Sequence, residues 1–70
     1  MYWSEKDLAV SLMLVDALNH GTFDNAKRIF DYQNCASQSY RMIRALVQVF
    51  CDKGADFFNA IEAENDKVLN

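Results

Sequence analysis

Seventy residues run without a single proline, and only two glycines, Gly21 and Gly54, interrupt them. Proline and glycine are the residues that end a helix most effectively. A chain so short of both has room for long helices and few places to turn. No run alternates apolar and polar residues with period two, and β-branched residues are sparse, so strands are not expected. The expectation is an all-α fold, a small bundle of about four short helices forming one domain over residues 1–70.

Local signals place the helices. Ser4 with Asp7 three residues on makes a capping box with Asp in place of Glu, so the first helix should run from Glu5 to about His20 and stop at Gly21. Thr22 caps a second from Phe23 to about Gln33, with Asn34 as a left-handed stop. A third should run from about Ser37, capped by Ser37 or Ser39, to Lys53 and end at Gly54. A fourth takes Ala55 to about Val68, either separate from the third or continuous with it through a kink at Gly54. Both glycines are read as left-handed terminators.

The first helix is the most demanding. Leu8, Leu12, Val15 and Leu18 make a core-facing stripe, and Val10, Leu14 and Ala17, with Met13 beside them, make a second. Only Ser4, Asp7 and Ser11 form a polar line. A helix apolar on most sides is buried on most sides, and three short neighbours surround it poorly. A hydrophobic content of 51% in so small a chain points the same way. The second stripe is therefore expected to meet a second copy, with Val10, Met13, Leu14 and Ala17 at a homodimer interface.

The other helices divide more cleanly. Phe23, Ala26, Ile29 and Phe30 form the inner face of the second, with Lys27, Asp31 and Asn34 pointing away. Tyr40, Ile43, Val47 and Phe50, widened by Met42 and Leu46, form that of the third, opposite Arg41, Arg44, Gln48 and Asp52. Phe57, Phe58, Ile61 and Val68 form that of the fourth, with Glu62, Asn65 and Asp66 on an acidic outer side. Tyr2 and Trp3 either staple over the first turn or anchor a partner.

Several function classes drop out. Catalysis needs a nucleophile, an acid or base and a stabiliser in one pocket. The chain offers one histidine, His20, at a helix end, and no glycine-rich phosphate loop, so it reads as a non-enzyme without cofactor. Structural zinc wants four Cys or His ligands, and only Cys35, Cys51 and His20 exist. The start of the chain lacks a secretory signal, so both thiols are expected reduced and buried, in the cytoplasm. The longest apolar stretch, Leu8 to Leu18, is broken by Ser11 and Asp16 and is shorter than the roughly 20 residues a membrane span needs.

Two segments carry resemblances. Residues 29–43, from Ile29 through Asn34, Cys35, Ser37, Gln38 and Tyr40 to Ile43, resemble the helix-turn-helix of lac-repressor-type DNA-binding domains. The resemblance implies that Ser37, Gln38 and Arg41 face a major groove, with Lys27, Arg28 and Arg44 near phosphates. Gly21, Phe23, Ala26 and Phe30 fit a G-x-[FY]-x-x-A-x-x-x-[FY] pattern similar to the second half of a tetratricopeptide repeat, which implies antiparallel helical hairpins.

Net charge ranks the functions. At −3, with a pI near 4.8, the chain lacks the dominant basic surface that phosphate neutralisation requires. The first expectation is a small regulator of inhibitor or adaptor type, cytoplasmic and dimeric, that binds another protein such as a host enzyme or transcription factor. At the level of class it resembles the short acidic helical inhibitors that phages use against host machinery. Its contact surface is expected at an acidic face of Asp56, Glu62 and Asp66, or at Tyr2 and Trp3. The alternative is a helix-turn-helix DNA-binding regulator.

Overall fold

The first two helices begin at their caps. In a computed structural model of the protein, Ser4 Oγ accepts the backbone N–H of Asp7 at 3.1 Å, and Thr22 Oγ1 accepts that of Asn25 at 3.1 Å. Both capping residues have extended backbone, and each satisfies one of the N–H groups that a helix start leaves open. The helices in order are α1 (Glu5–His20), α2 (Phe23–Tyr32), α3 (Tyr40–Phe50) and α4 (Gly54–Leu69). The structure describes residues 4–33, 35 and 40–69, the last five of these through their backbone alone. Among the described residues there is no strand, and the fold is an all-helical small bundle. The expected stop at Asn34, the caps at Ser37 and Ser39 and the side chains of Asn65 and Val68 lie outside the described residues.

Neither glycine is the left-handed terminator expected of it. Gly21 closes α1 with φ −119°, and its N–H donates to Ala17 O at 2.9 Å. A Cβ there would stand 3.0 Å from that same oxygen, so glycine serves close approach. Gly54 does not close α3; it opens α4. Helix α3 ends earlier than expected, at Phe50, and residues 51–53 turn the chain, so α3 and α4 are two helices and not one kinked one. A Cβ on Gly54 would lie 3.0 Å from Val47 Cγ1 and 3.2 Å from Val47 O. Only a residue without a side chain lets α4 start so near the last turn of α3.

Helix α1 packs on both α2 and α3, and α4 packs on α3. The inner face of α1 is Val10, Ser11, Leu14, Ala17 and Leu18. This overturns the expected division of α1. Val10, Leu14 and Ala17 belong to the chain's own core and not to a second copy, whereas Leu12, assigned inward, is 48% exposed. Ser11, assigned to a polar line, is fully buried. Its hydroxyl donates to Asp7 O at 2.7 Å, one turn back, which satisfies the donor inside the helix and lets a serine pass as a core residue. The radius of gyration, 11.4 Å, is close to the roughly 11 Å of a closed seventy-residue globule. Helices α2 and α3 do suffice to wrap one side of α1.

The core is completed by an aromatic cluster. Phe57 and Phe58 are buried on α4 and meet Phe30 of α2 edge-to-face at 6.1 and 6.0 Å. Tyr40 joins from α3, 5.8 Å from Phe58. Such edge-to-face pairs set the positive rim of one ring against the negative face of the next. Two rings expected inside stay half outside: Phe23 is 45% and Phe50 50% exposed. Phe23 caps the cluster from its edge, 5.2 Å from Phe57.

Candidate protein-binding surface

Folding leaves one side of α1 and the end of α2 unfinished. Met13 of α1 remains 44% exposed, and Tyr32, on the last residue of α2, is 87% exposed. Ile29 and Tyr32 are three residues apart and so adjacent on the helix surface. With Met13, Arg28 and Gln33 they line an open groove of about 370 Å³ between α1 and α2. Its walls are almost wholly apolar, and Arg28 supplies a charge at the rim. The groove runs into a second cleft of about 410 Å³, lined by Asp16, Ala17, His20, Asn25 and the same Arg28 and Ile29. The α1–α2 seam thus has an apolar half and a polar half, joined at Arg28 and Ile29.

The charged side chains named from sequence are placed differently from expectation. Lys27 is not a free outward cation. Its Nζ donates to both oxygens of Glu64 on α4, at 2.7 and 2.6 Å, and that hydrogen bond holds the ammonium above its ordinary pKa of 10.5. Arg44 Nη2 lies 3.8 Å from Glu62 Oε2. Two carboxylates of α4 therefore answer a base on α2 and a base on α3. Arg28 and Arg41 are exposed, and Arg41, Arg44, Ala45 and Gln48 line a shallow cleft on the outside of α3. Asp56 is exposed in the first turn of α4, six residues before Glu62 and so about 120° around the helix. Asp56 and Glu62 do not share the acidic face expected of them, and Glu62 is half-buried. Tyr2, Trp3, Ser37, Gln38 and the side chain of Asp66 lie outside the described residues.

Three polar atoms at the Arg44–Glu62 pair and its neighbour Tyr40 are buried without a hydrogen-bond partner: Tyr40 Oη, Arg44 Nε and Glu62 Oε2. Burial raises the Tyr40 phenol above its usual 10.0, and the Glu62 carboxylate nearby adds to the shift without reaching hydrogen-bond geometry. Both cysteines are free and buried. Cys51 Sγ donates to Asn19 Oδ1 at 3.4 Å. Burial likewise raises the Cys35 thiol above 9.0, with Asp31 and Asp7 contributing.

These shifts share a direction. In the unfolded chain the Cys35 thiol ionises near 9.0, whereas in the fold it holds its proton to higher pH, so the unfolded state loses a proton first and stability falls as pH rises. Tyr40 does the same above 10.0, and Lys27, protonated longer in the fold, above 10.5. We expect the urea midpoint to decline once the pH passes 9.0, with the earliest part of the decline missing in Cys35→Ala. A wild-type midpoint that is level through pH 10.5 would contradict this.

Among the described residues no three His, Cys, Asp or Glu side chains converge on a metal-sized site, and no helix is long and apolar enough to cross a membrane. No family model matches the chain, and no curated protein or solved structure is detectably similar to it.

Sequence reasoning missed Tyr32 and Glu64. Tyr32 was readable in part, since it falls two residues past the core residue Phe30 and so on the far side of α2. Glu64 was not, because its partner Lys27 is 37 residues away and nothing local links them.

Proposed function

We propose that the protein is a small non-catalytic regulator, of inhibitor or adaptor type, that works in the cytoplasm by binding another protein at the α1–α2 groove. One observation carries this reading: a tyrosine 87% exposed beside an open apolar groove, in a chain that packs three other aromatic rings almost completely. Tyrosine at the edge of an apolar depression is the usual anchor of a protein interface. The groove suits an amphipathic segment whose apolar side chains lie on Met13 and Ile29, with a carboxylate reaching Arg28. Free, buried thiols suit a reducing compartment.

The test compares immobilised wild type with Tyr32→Ala in a cell lysate. The exposed ring contributes little to the fold, so the variant stays folded. Loss of a hot-spot tyrosine weakens binding by about 2 kcal/mol, roughly thirtyfold. A protein held by wild type and released by Tyr32→Ala supports the reading. If wild type holds nothing that the variant fails to hold, the groove is not the contact surface.

Duplex binding is the second reading, favoured by the cleft of Arg41, Arg44 and Gln48 on α3. Against it stand the net charge of −3 and the pairing of Lys27 and Arg44 with carboxylates of α4. Retention of a labelled duplex at low salt, lost on adding salt and lost in Arg41→Glu, would put this reading first.

A further inference from the structure

We propose that a second copy of this chain seats on the exposed face of α1, antiparallel and related by a twofold axis, with Ala9 of each copy against Met13 of the other and Lys6 against Asp16. Lys6, Ala9, Met13 and Asp16 are all exposed, and their spacings of three, four and three put them in one line along α1. That is the seam spacing of paired helices. Parallel packing would set each charge of the line against its own like. Antiparallel packing in the register that seats Met13 on the small Ala9 also brings Lys6 opposite Asp16, at both ends at once.

The same register places Leu12, 48% exposed, beside the twofold axis, where it meets Leu12 of the partner subunit. At each end Lys6 of one copy then stands opposite Asp16 of the other, one pair of opposite charges at either end of the seam. The face is complementary to itself, which favours a second copy over an unrelated protein. Of the interface expected from sequence, only Met13 remains; Val10, Leu14 and Ala17 are inside the chain.

The inference does not depend on the groove reading, and the two fail separately. Met13 borders both surfaces and Asp16 lines the polar cleft that continues the groove, so Leu12 and Lys6 separate the two readings, and Tyr32→Ala should leave association intact. Sedimentation at micromolar concentration should give about twice the 8.1 kDa chain mass. Asp16→Lys sets lysine against lysine and should weaken association by about tenfold or more. Lys6→Asp combined with Asp16→Lys should restore it, since the pair is then reversed and not removed. Leu12→Glu should give a folded monomer by circular dichroism and sedimentation together. A monomeric wild type at these concentrations would overturn the proposal, and so would a dimer indifferent to both Asp16→Lys and Leu12→Glu.

Discussion

Replacing Phe58 with alanine should remove about a third or more of the fold's stability at room temperature. Phe58 is fully buried and stands within 5.1 Å of Phe57, 5.8 Å of Tyr40 and 6.0 Å of Phe30, measured between ring centres. It is the ring that touches α2, α3 and its own helix at once. Removing a buried phenylalanine costs about 3–5 kcal/mol in lost transfer energy and in the cavity left behind. A domain of this length has roughly 4–10 kcal/mol of stability in total. The loss is therefore from about a third to all of what holds the fold. Far-UV circular dichroism against urea should show the midpoint moved far toward zero denaturant. Phe58→Leu, which keeps most of the volume, should retain a cooperative transition. A midpoint unmoved in Phe58→Ala would mean that the rings touch without holding the helices together.

How far the fold was readable follows from which signals are local. The starts of α1 and α2 were, because Ser4 and Thr22 cap from within four residues of sequence. Phe57, Phe58 and Ile61 were, because helix α4 is apolar along one line only and has no second choice of inner face. Helix α1 offered two apolar lines about 140° apart around its axis, and its own pattern could not rank them. The choice fell to a detail of polar bookkeeping: Ser11 satisfies its hydroxyl on Asp7 O, so the inner face tolerates it, and Leu12 and Met13 rotate outward instead. Gly54 misled for a similar reason. Glycine after a helix suggests a left-handed end, but here it removes a side chain that would collide with Val47 across the turn, which is a long-range constraint.

The candidate surface was less legible than the core. A core position announces itself by period, because neighbours three and four residues away share its environment. A groove between two helices is made of residues from both, and neither Met13 nor Tyr32 signals the other. The charges show the same asymmetry. Lys27 read as a solvated or phosphate-facing base, and only the placement of α4 reveals that Glu64 already meets it. In a chain with a net charge of −3, such internal pairing removes cations from the surface that a polyanion would need.

Leu14→Glu should abolish the fold at neutral pH, while Leu12→Glu, two residues away, should not. Leu14 has no exposed surface, and α1, α2 and α3 close over its helix face. A carboxylate there would stand in the apolar core cluster, and the effective penalty for an unpaired buried ion is several kcal/mol. The group escapes by staying protonated, which raises its pKa in the fold above the unfolded value of about 4.3. Stability is then present below that value and lost as pH rises through the folded one. Helical signal in Leu14→Glu should therefore be weak at neutral pH and partly regained on acidification. Leu12 is 48% exposed, so a glutamate there reaches water and the helix content should stay close to wild type. The two variants also decide between the two ways of orienting α1. Were the apolar line through Leu8, Leu12 and Val15 the inner one, the outcomes would exchange: Leu12→Glu would unfold the chain, and Leu14→Glu would leave it folded with a surface carboxylate.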